Sequence, residues 1–157
     1  MSLEIERKFL VKNDFYKKES HQKLYIKQGF LNSDKNRVVR VRITDDKAFL
    51  TIKGKSNNSG TTRFEWEKNI SVKEAEELFK LCEPGIIEKH RYLVQSGKHI
   101  FEVDEFLDEN SGLVVAEIEL TKENDVFETP NWLGNEVTGE EKYYNSNISK
   151  HPFKNWK

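Results

Sequence analysis

Glu4, Glu6 and Lys8 stand at alternate positions of the run Glu-Ile-Glu-Arg-Lys. In an extended chain, two carboxylates and an ammonium therefore leave one face together. Leu3, Ile5, Phe9 and Val11 fill most of the other parity, the period-2 signature of a strand with one apolar side. The same device recurs down the chain. Arg40 and Arg42 oppose Val39, Val41 and Ile43, while Lys53 opposes Leu50 and Ile52. Arg63, Glu65 and Glu67 oppose Phe64 and Trp66, and Glu117 and Glu119 alternate with Ala116, Ile118 and Leu120. One parity from each charged run collects the bases Lys8, Arg40, Arg42, Lys53, Arg63, Lys89 and Arg91. It also collects the acids Glu4, Glu6, Glu65, Glu102, Asp104, Glu117 and Glu119.

Two readings stand open. A charged strand face ordinarily meets water, and seven such faces can be the solvated side of a plain sheet. Alternatively they line an interior. Glu-x-Glu occurs three times among these runs and Arg-x-Arg once, whereas a surface strand generally mixes its signs, and the apolar parity is thin for a wide two-sheet core. Glu88 and His90 weigh the other way, since they put polar groups on the second side of the 86–95 run. An interior of this kind has constrained chemistry. Carboxylates are hard oxygen ligands suited to Mg²⁺ or Mn²⁺, and no Cys/His cluster suggests zinc. Arginine forks and lysine ammoniums suit phosphate oxygens. Both together bind a metal–polyphosphate complex and act by positioning, charge neutralisation and activation of a water. GxxxxGK[ST] is absent and the eight glycines sit singly, so no phosphate-binding loop competes with this reading.

The elements that must position these side chains are mostly strands. Runs 3–11, 23–33, 37–44, 47–55, 61–70, 86–95, 98–107 and 113–121 give eight candidates. Ser33–Asn36 and Asp45-Asp46 supply turns, Ser56–Thr61 a loop, and Ser96-Gly97 a tight hairpin. Asn13 or Asp14 caps a short helix in NDFYKKES. A firmer helix begins at the capping box of Ser71 and Glu74, carries the stripe Ala75, Leu78, Phe79 and Cys82, and stops at Glu83-Pro84-Gly85. Trp132, Tyr143, Tyr144, Phe153 and Trp156 are expected to pack helical turns of the tail onto the body. Short connections and strict alternation favour an antiparallel sheet, and eight strands are enough to close a barrel. The expected class is α+β, an eight-stranded antiparallel β-barrel with flanking helices in a single domain, 1–157.

With 26 basic and 27 acidic residues the net charge is −1, so no global field argues for nucleic acid or a membrane surface. Cys82 is alone, which fits a reducing compartment and a packing role. The N-terminus lacks an apolar signal region and no stretch is long enough to span a bilayer, so a cytoplasmic protein is expected.

The ordered set Glu4-x-Glu6-x-Lys8, Val-Arg-Val-Arg with Arg40 and Arg42, Thr-Ile-Lys-Gly with Lys53, and Arg63-x-Glu65 resembles the CYTH proteins, also called triphosphate tunnel metalloenzymes. Phe-Glu-Val-Asp-Glu-Phe with Asp104, Ala-Glu-Ile-Glu-Leu with Glu117 and Glu119, and the late Glu-Val-Thr and Tyr-Tyr-Asn-Ser-Asn segments continue the likeness over nearly the whole chain. The resemblance implies a barrel enclosing a tunnel, a triphosphate bound inside it and a required divalent metal. It implies metal-side acids at Glu4, Glu6, Asp104, Glu117 and Glu119, and phosphate contacts at Arg40, Arg42, Lys53 and Arg91. Lys8 would lie at the attacked phosphorus, completing a catalytic set with Glu4 and Glu6. Lys142 is a looser candidate phosphate contact, and Arg63, Glu65 and Lys89 either join the site or pair with one another.

Within that family the pattern is most similar to the tripolyphosphatases. Class IV adenylyl cyclase and nucleoside or thiamine triphosphatase are the alternatives, and a polyphosphate-binding module without turnover is the non-enzymatic one. The implied partner is a small triphosphate, with a homodimer compatible. Five acids in one chamber should repel each other without metal, so Glu4→Gln or Glu6→Gln is expected to leave the metal-free protein at least as stable.

Overall fold

The alternating runs become strands in the computed structural model, which describes residues 2–156. In chain order they are β1 (Ser2–Val11), β2 (Gln22–Asn32), β3 (Arg37–Thr44), β4 (Lys47–Gly54), β5 (Thr62–Ile70), β6 (Ile87–Ser96), β7 (His99–Phe106), β8 (Val114–Glu119) and β9 (Leu133–Glu136). Helices α1 (Phe15–Glu19), α2 (Val72–Phe79) and α3 (Asn145–Lys150) interrupt them. Every pairing is antiparallel, in the order β5-β4-β3-β2-β6-β7-β8-β1, and a further β5–β1 pairing closes the ring. The expected eight-stranded barrel is therefore present, with a ninth strand added. β1 is shared: Ser2–Ile5 pair with β5, but further along Phe9 and Val11 pair with β9. β9 thus covers the edge of β1 that β5 leaves. Its sequence, Leu-Gly-Asn-Glu, is short and does not alternate, so periodicity gives no sign of it.

The apolar parity packs outward, beneath the helices. Phe9, Phe101, Val103, Ala116 and Ile118 lie under Tyr16 of α1 and Trp132. Val41 and Ala48 lie under Ala75, Leu78 and Phe79 of α2 and under Cys82, which follows the helix because it ends at Phe79, short of the expected stop at Glu83. The capping box of α2 is formed: Glu74 N donates to Ser71 Oγ at 3.0 Å and Ser71 N to Glu74 Oε1 at 2.9 Å. Asn13, not Asp14, serves the start of α1, its Oδ1 accepting from Phe15 N at 3.0 Å. Inside, one end of the lumen is filled by a third cluster containing Phe30, Val38, Ile87, Phe106 and Val115. Val38, Ile87, Phe106 and Val115 share parity with the inward charges of their strands and Phe30 with Gln28, and together they form a floor, sealed by Tyr143 and Ile148 of the C-terminal segment. The tail does make helical turns, as expected, except that Trp132 sits at the edge of β9.

The C-terminal segment is held to the barrel by a close backbone approach. Gly85 has φ of 100°, and a Cβ there would stand 1.9 Å from the Ser149 carbonyl oxygen. Ser149 Oγ also donates to Gly85 O at 2.6 Å. Gly85→Ala is expected to destabilise by at least ~1–3 kcal/mol, the cost of a strained left-handed backbone with no room to relax. Chemical denaturation measures it, and an unchanged midpoint would show that this contact does not fix the cap. Among the described residues no helix is long and apolar enough to cross a membrane.

Candidate active site

The charged parity of the strands surrounds a chamber of about 210 Å³. β1 contributes Glu4, Glu6 and Lys8, β3 Arg40 and Arg42, β4 Lys53, and β5 Arg63, Glu65 and Glu67. Lys89 and Arg91 come from β6, Glu102 from β7, and Glu117 and Glu119 from β8. A solvated sheet face would leave such groups in water. Instead Lys89 is 0% exposed and Lys53 6%, and Glu4, Lys8, Arg40, Arg91 and Glu117 are buried as well. The interior reading of the sequence is the correct one.

Buried charges need partners, and the register supplies them. Glu4 lies opposite Arg63, and Lys53 opposite Glu65. Lys53 Nζ reaches both Glu4 oxygens, at 3.0 and 2.9 Å, and Glu65 at 3.6 Å. Arg63 Nε is 3.5 Å from Glu4. Burial pushes the Glu4 carboxyl up, but Lys53 and Arg63 outweigh it and hold its pKa down to about 2. A second group lies deeper. Asp104 receives Arg91 through two nitrogens, at 2.7 and 2.9 Å, and Lys89 Nζ at 2.7 Å. Burial nevertheless depresses Lys89 to about 7, against the pull of Asp104.

Other groups remain uncompensated. Burial, followed by Glu117 and Glu4, raises the Glu6 carboxyl well above its ordinary range. Glu117 moves the opposite way: burial opposes its ionisation, but Lys8 and Arg91 hold it well below. Glu6, disfavoured as an anion, adds to the lowering of Glu117 as a hydrogen-bonding neighbour. Glu119, at the mouth, is raised by burial and by Glu4 and Glu102. On the basic side, burial and then Arg40 and Arg91 lower Arg42 to about 9. Arg40 Nε is buried without any hydrogen-bond partner, the one side-chain N or O of that kind among the described residues.

Of the expected site residues, Lys142 is not brought together with the rest, and Asp104 does not line the open chamber. Lys142 is exposed on the outer surface, its Nζ 5.2 Å from the Tyr143 ring centroid and 5.0 Å from that of Trp156. The turn Glu141–Tyr143 aims it away from the chamber, which receives Tyr144, Asn145 and Ser146 instead. Asp104 is inside, but both its oxygens are committed to Arg91 and Lys89, so it holds bases rather than facing the open space. Sequence reasoning also missed Gln28, fully buried and bonded to Arg42, and Thr51, which links Arg40 to Glu67. Uncharged residues on an inner parity read as ordinary strand positions. Arg63, Glu65 and Lys89, left open between site and structural pairing, do both.

Comparison with known proteins agrees with this architecture. The model of the CYTH domain matches residues 2–152, and the chain belongs to that family. It is 51% identical to an inorganic triphosphatase of Acetivibrio thermocellus, covering 100% of this chain and 99% of the relative. It is 35% identical to an inorganic triphosphatase of Nitrosomonas europaea over 93% of this chain and 96% of that one. A crystal structure of an inorganic triphosphatase superposes with a TM-score of 0.64 at 30% identity, over 92% of this chain and 96% of the other. A Pyrococcus horikoshii protein, 21% identical with a TM-score of 0.63 over 77% of this chain and 80% of its own, shares the fold.

Proposed function

We propose that this protein is a divalent-metal-dependent triphosphatase that splits inorganic tripolyphosphate into pyrophosphate and phosphate by direct attack of water. The observation that carries the reading is the cationic wall with its unpartnered Arg40 Nε–H, facing carboxylates across a chamber of about 210 Å³. A desolvated guanidinium donor without an acceptor is costly unless an anion completes it. Arg40, Arg42, Lys53, Lys89 and Arg91 hold phosphate oxygens. A phosphate at Lys53 competes with Glu4 for that ammonium. Lys8 Nζ, 3.3 Å from the Tyr143 carbonyl oxygen, keeps further donors for the attacked phosphoryl group. The two relatives named inorganic triphosphatases support hydrolysis over cyclisation.

The donor set also fits a hard cation. Glu6 lies opposite Glu119 in the register and is disfavoured as an anion by Glu117, and Glu119 is raised by burial, Glu4 and Glu102, so a cation among the three would relieve them. No three acids stand at metal-ligand spacing among the described residues, so a cation has to draw them inward. Mg²⁺ or Mn²⁺ at Glu6, Glu117 and Glu119 would neutralise phosphate charge and acidify a bound water. Glu4 and Asp104 serve first as partners of bases. The lone Cys82 supports a cytoplasmic setting.

Phosphate release from tripolyphosphate, ATP, thiamine triphosphate and pyrophosphate with Mg²⁺ or Mn²⁺, and a check for cyclic AMP, tests the reading. Tripolyphosphate should be the preferred substrate, and full activity in excess EDTA would overturn the metal requirement. The two walls should separate kinetically. Arg40→Ala is expected to cost ~1.5–3 kcal/mol of substrate binding, roughly 10- to 150-fold in KM. Glu119→Gln should lower kcat and raise the metal concentration needed for half activity. Near-normal kinetics in both variants would remove the chamber as the site.

A further inference from the structure

Asn145 enters the chamber from the start of α3 and touches two chamber groups. Its Oδ1 accepts from Lys89 Nζ at 2.8 Å and from Gln28 Nε2 at 2.8 Å. Gln28 Oε1 in turn accepts from Arg42 Nε at 2.8 Å. The orientation of both amides is fixed by chemistry. An ammonium and a guanidinium only donate, so the atom facing each must be an amide oxygen. That leaves the Gln28 NH₂ for Asn145, and the chain Lys89–Asn145–Gln28–Arg42 is consistent from end to end.

We propose that Asn145 is a positioning residue of the phosphate site, holding Lys89 directly and Arg42 through Gln28 so that both bases face the substrate. The proposal rests on the triphosphatase reading. Two cations in one desolvated space repel, and Lys89 has a competing carboxylate, Asp104, 2.7 Å away. Without Asn145 its donors would turn to that acid. A neutral amide orients the bases yet leaves their charge for phosphate, whereas a carboxylate in its place would cancel it. Asn145 is itself held rigidly, because Ile148 of the same helix is fully buried in the floor and Ser149 bonds to Gly85. The preceding residues act likewise. Tyr143 O takes Lys8 Nζ at 3.3 Å, and the Tyr144 ring centroid lies 5.1 Å from Lys8 Nζ and 5.7 Å from the Arg63 guanidinium carbon.

The test is steady-state kinetics with tripolyphosphate and Mg²⁺ on wild type, Asn145→Leu, Gln28→Leu and the double variant. Calorimetric binding of tripolyphosphate in EDTA and a melting curve for each accompany it. Each single variant should raise KM and the calorimetric Kd by about 10-fold, the loss of one well-oriented charged contact, with kcat changed far less. The double variant should be no worse than either single, because one break already opens the bridge. A wild-type KM in Asn145→Leu, or fully additive effects near 100-fold in the double variant, would overturn the proposal. Should Asn145→Leu not fold, Gln28→Met decides alone: raised KM with a folded melting curve supports the bridge, and wild-type KM defeats it. Wild-type protein that neither binds tripolyphosphate nor releases phosphate overturns the triphosphatase reading itself; active wild type with unchanged variants overturns only the bridge.

Discussion

Asp104→Asn is expected to lower the melting temperature of the metal-free protein by roughly 6–20 °C, corresponding to ~3–5 kcal/mol at about 2–4 °C per kcal/mol for a chain of this size. Asp104 is 1% exposed and is the carboxylate closest to both Lys89 and Arg91. Removing its charge leaves two cations together, with Glu102 at 3.3 Å and Glu117 at 3.9 Å from Arg91 as the remaining acids. An amide still accepts hydrogen bonds but cannot neutralise the pair. Lys89→Met in the same background removes one of the two stranded charges and should recover part of the loss, because sites in direct contact are not additive. A melting temperature within about 2 °C of wild type for Asp104→Asn would mean that the chamber is far better solvated than its burial implies.

How much of this was legible before the fold was known depends on the residue. Arg40, Arg42, Glu117 and Glu119 announce a charged face because they sit at alternate positions in short runs between apolar partners. Their gathering around one chamber follows from strand order and β5–β1 closure, which no single run encodes. β2 shows the limit of parity reading. Its charges, Lys23 and Lys27, lie on the outward side, whereas the inward side is Leu24, Ile26, Gln28 and Phe30. Gln28 therefore looks like a lone polar residue in a strand, although it is a fully buried link to Arg42.

The C-terminal segment was less legible still. Lys142 stands beside aromatic residues in sequence, and the family resemblance makes it a loose phosphate candidate. The 3₁₀ turn over Glu141–Tyr143 rotates it outward, and the neutral Tyr144, Asn145 and Ser146 enter instead. Nor does a sequence say which base stands across from which acid. Five acids on inner parities suggested mutual repulsion, but registration sets Arg63 directly opposite Glu4 and brings Lys53 onto the same carboxylate. The expectation that Glu4 and Glu6 behave alike in the metal-free protein does not survive that geometry.

The two acids should instead move stability in opposite directions. Glu4→Gln strands Lys53, which is left with Glu65 at 3.6 Å, and weakens the hold on Arg63. The expected cost at neutral pH is ~2–3 kcal/mol, below the full penalty for breaking a buried pair because Glu65 remains. Glu6→Gln removes a carboxyl that burial, Glu117 and Glu4 all disfavour as an anion, so its metal-free melting temperature at neutral pH should equal or exceed that of wild type. The pH dependence carries the same sign difference. Glu4 has its pKa lowered from 4.5 to about 2, so its contribution is present above 4.5 and fades as pH falls through 2. The penalty of Glu4→Gln should therefore vanish at acid pH. Glu6 has its pKa raised above 4.5, so its contribution is complete below 4.5 and is lost as pH rises through the folded value. Glu6→Gln should flatten that decline, bringing its advantage at neutral rather than acid pH. Melting curves of the three proteins in EDTA across this range decide the matter. If both variants shift the neutral-pH melting temperature in the same direction, the Lys53–Glu4 pair is not what holds this wall of the chamber.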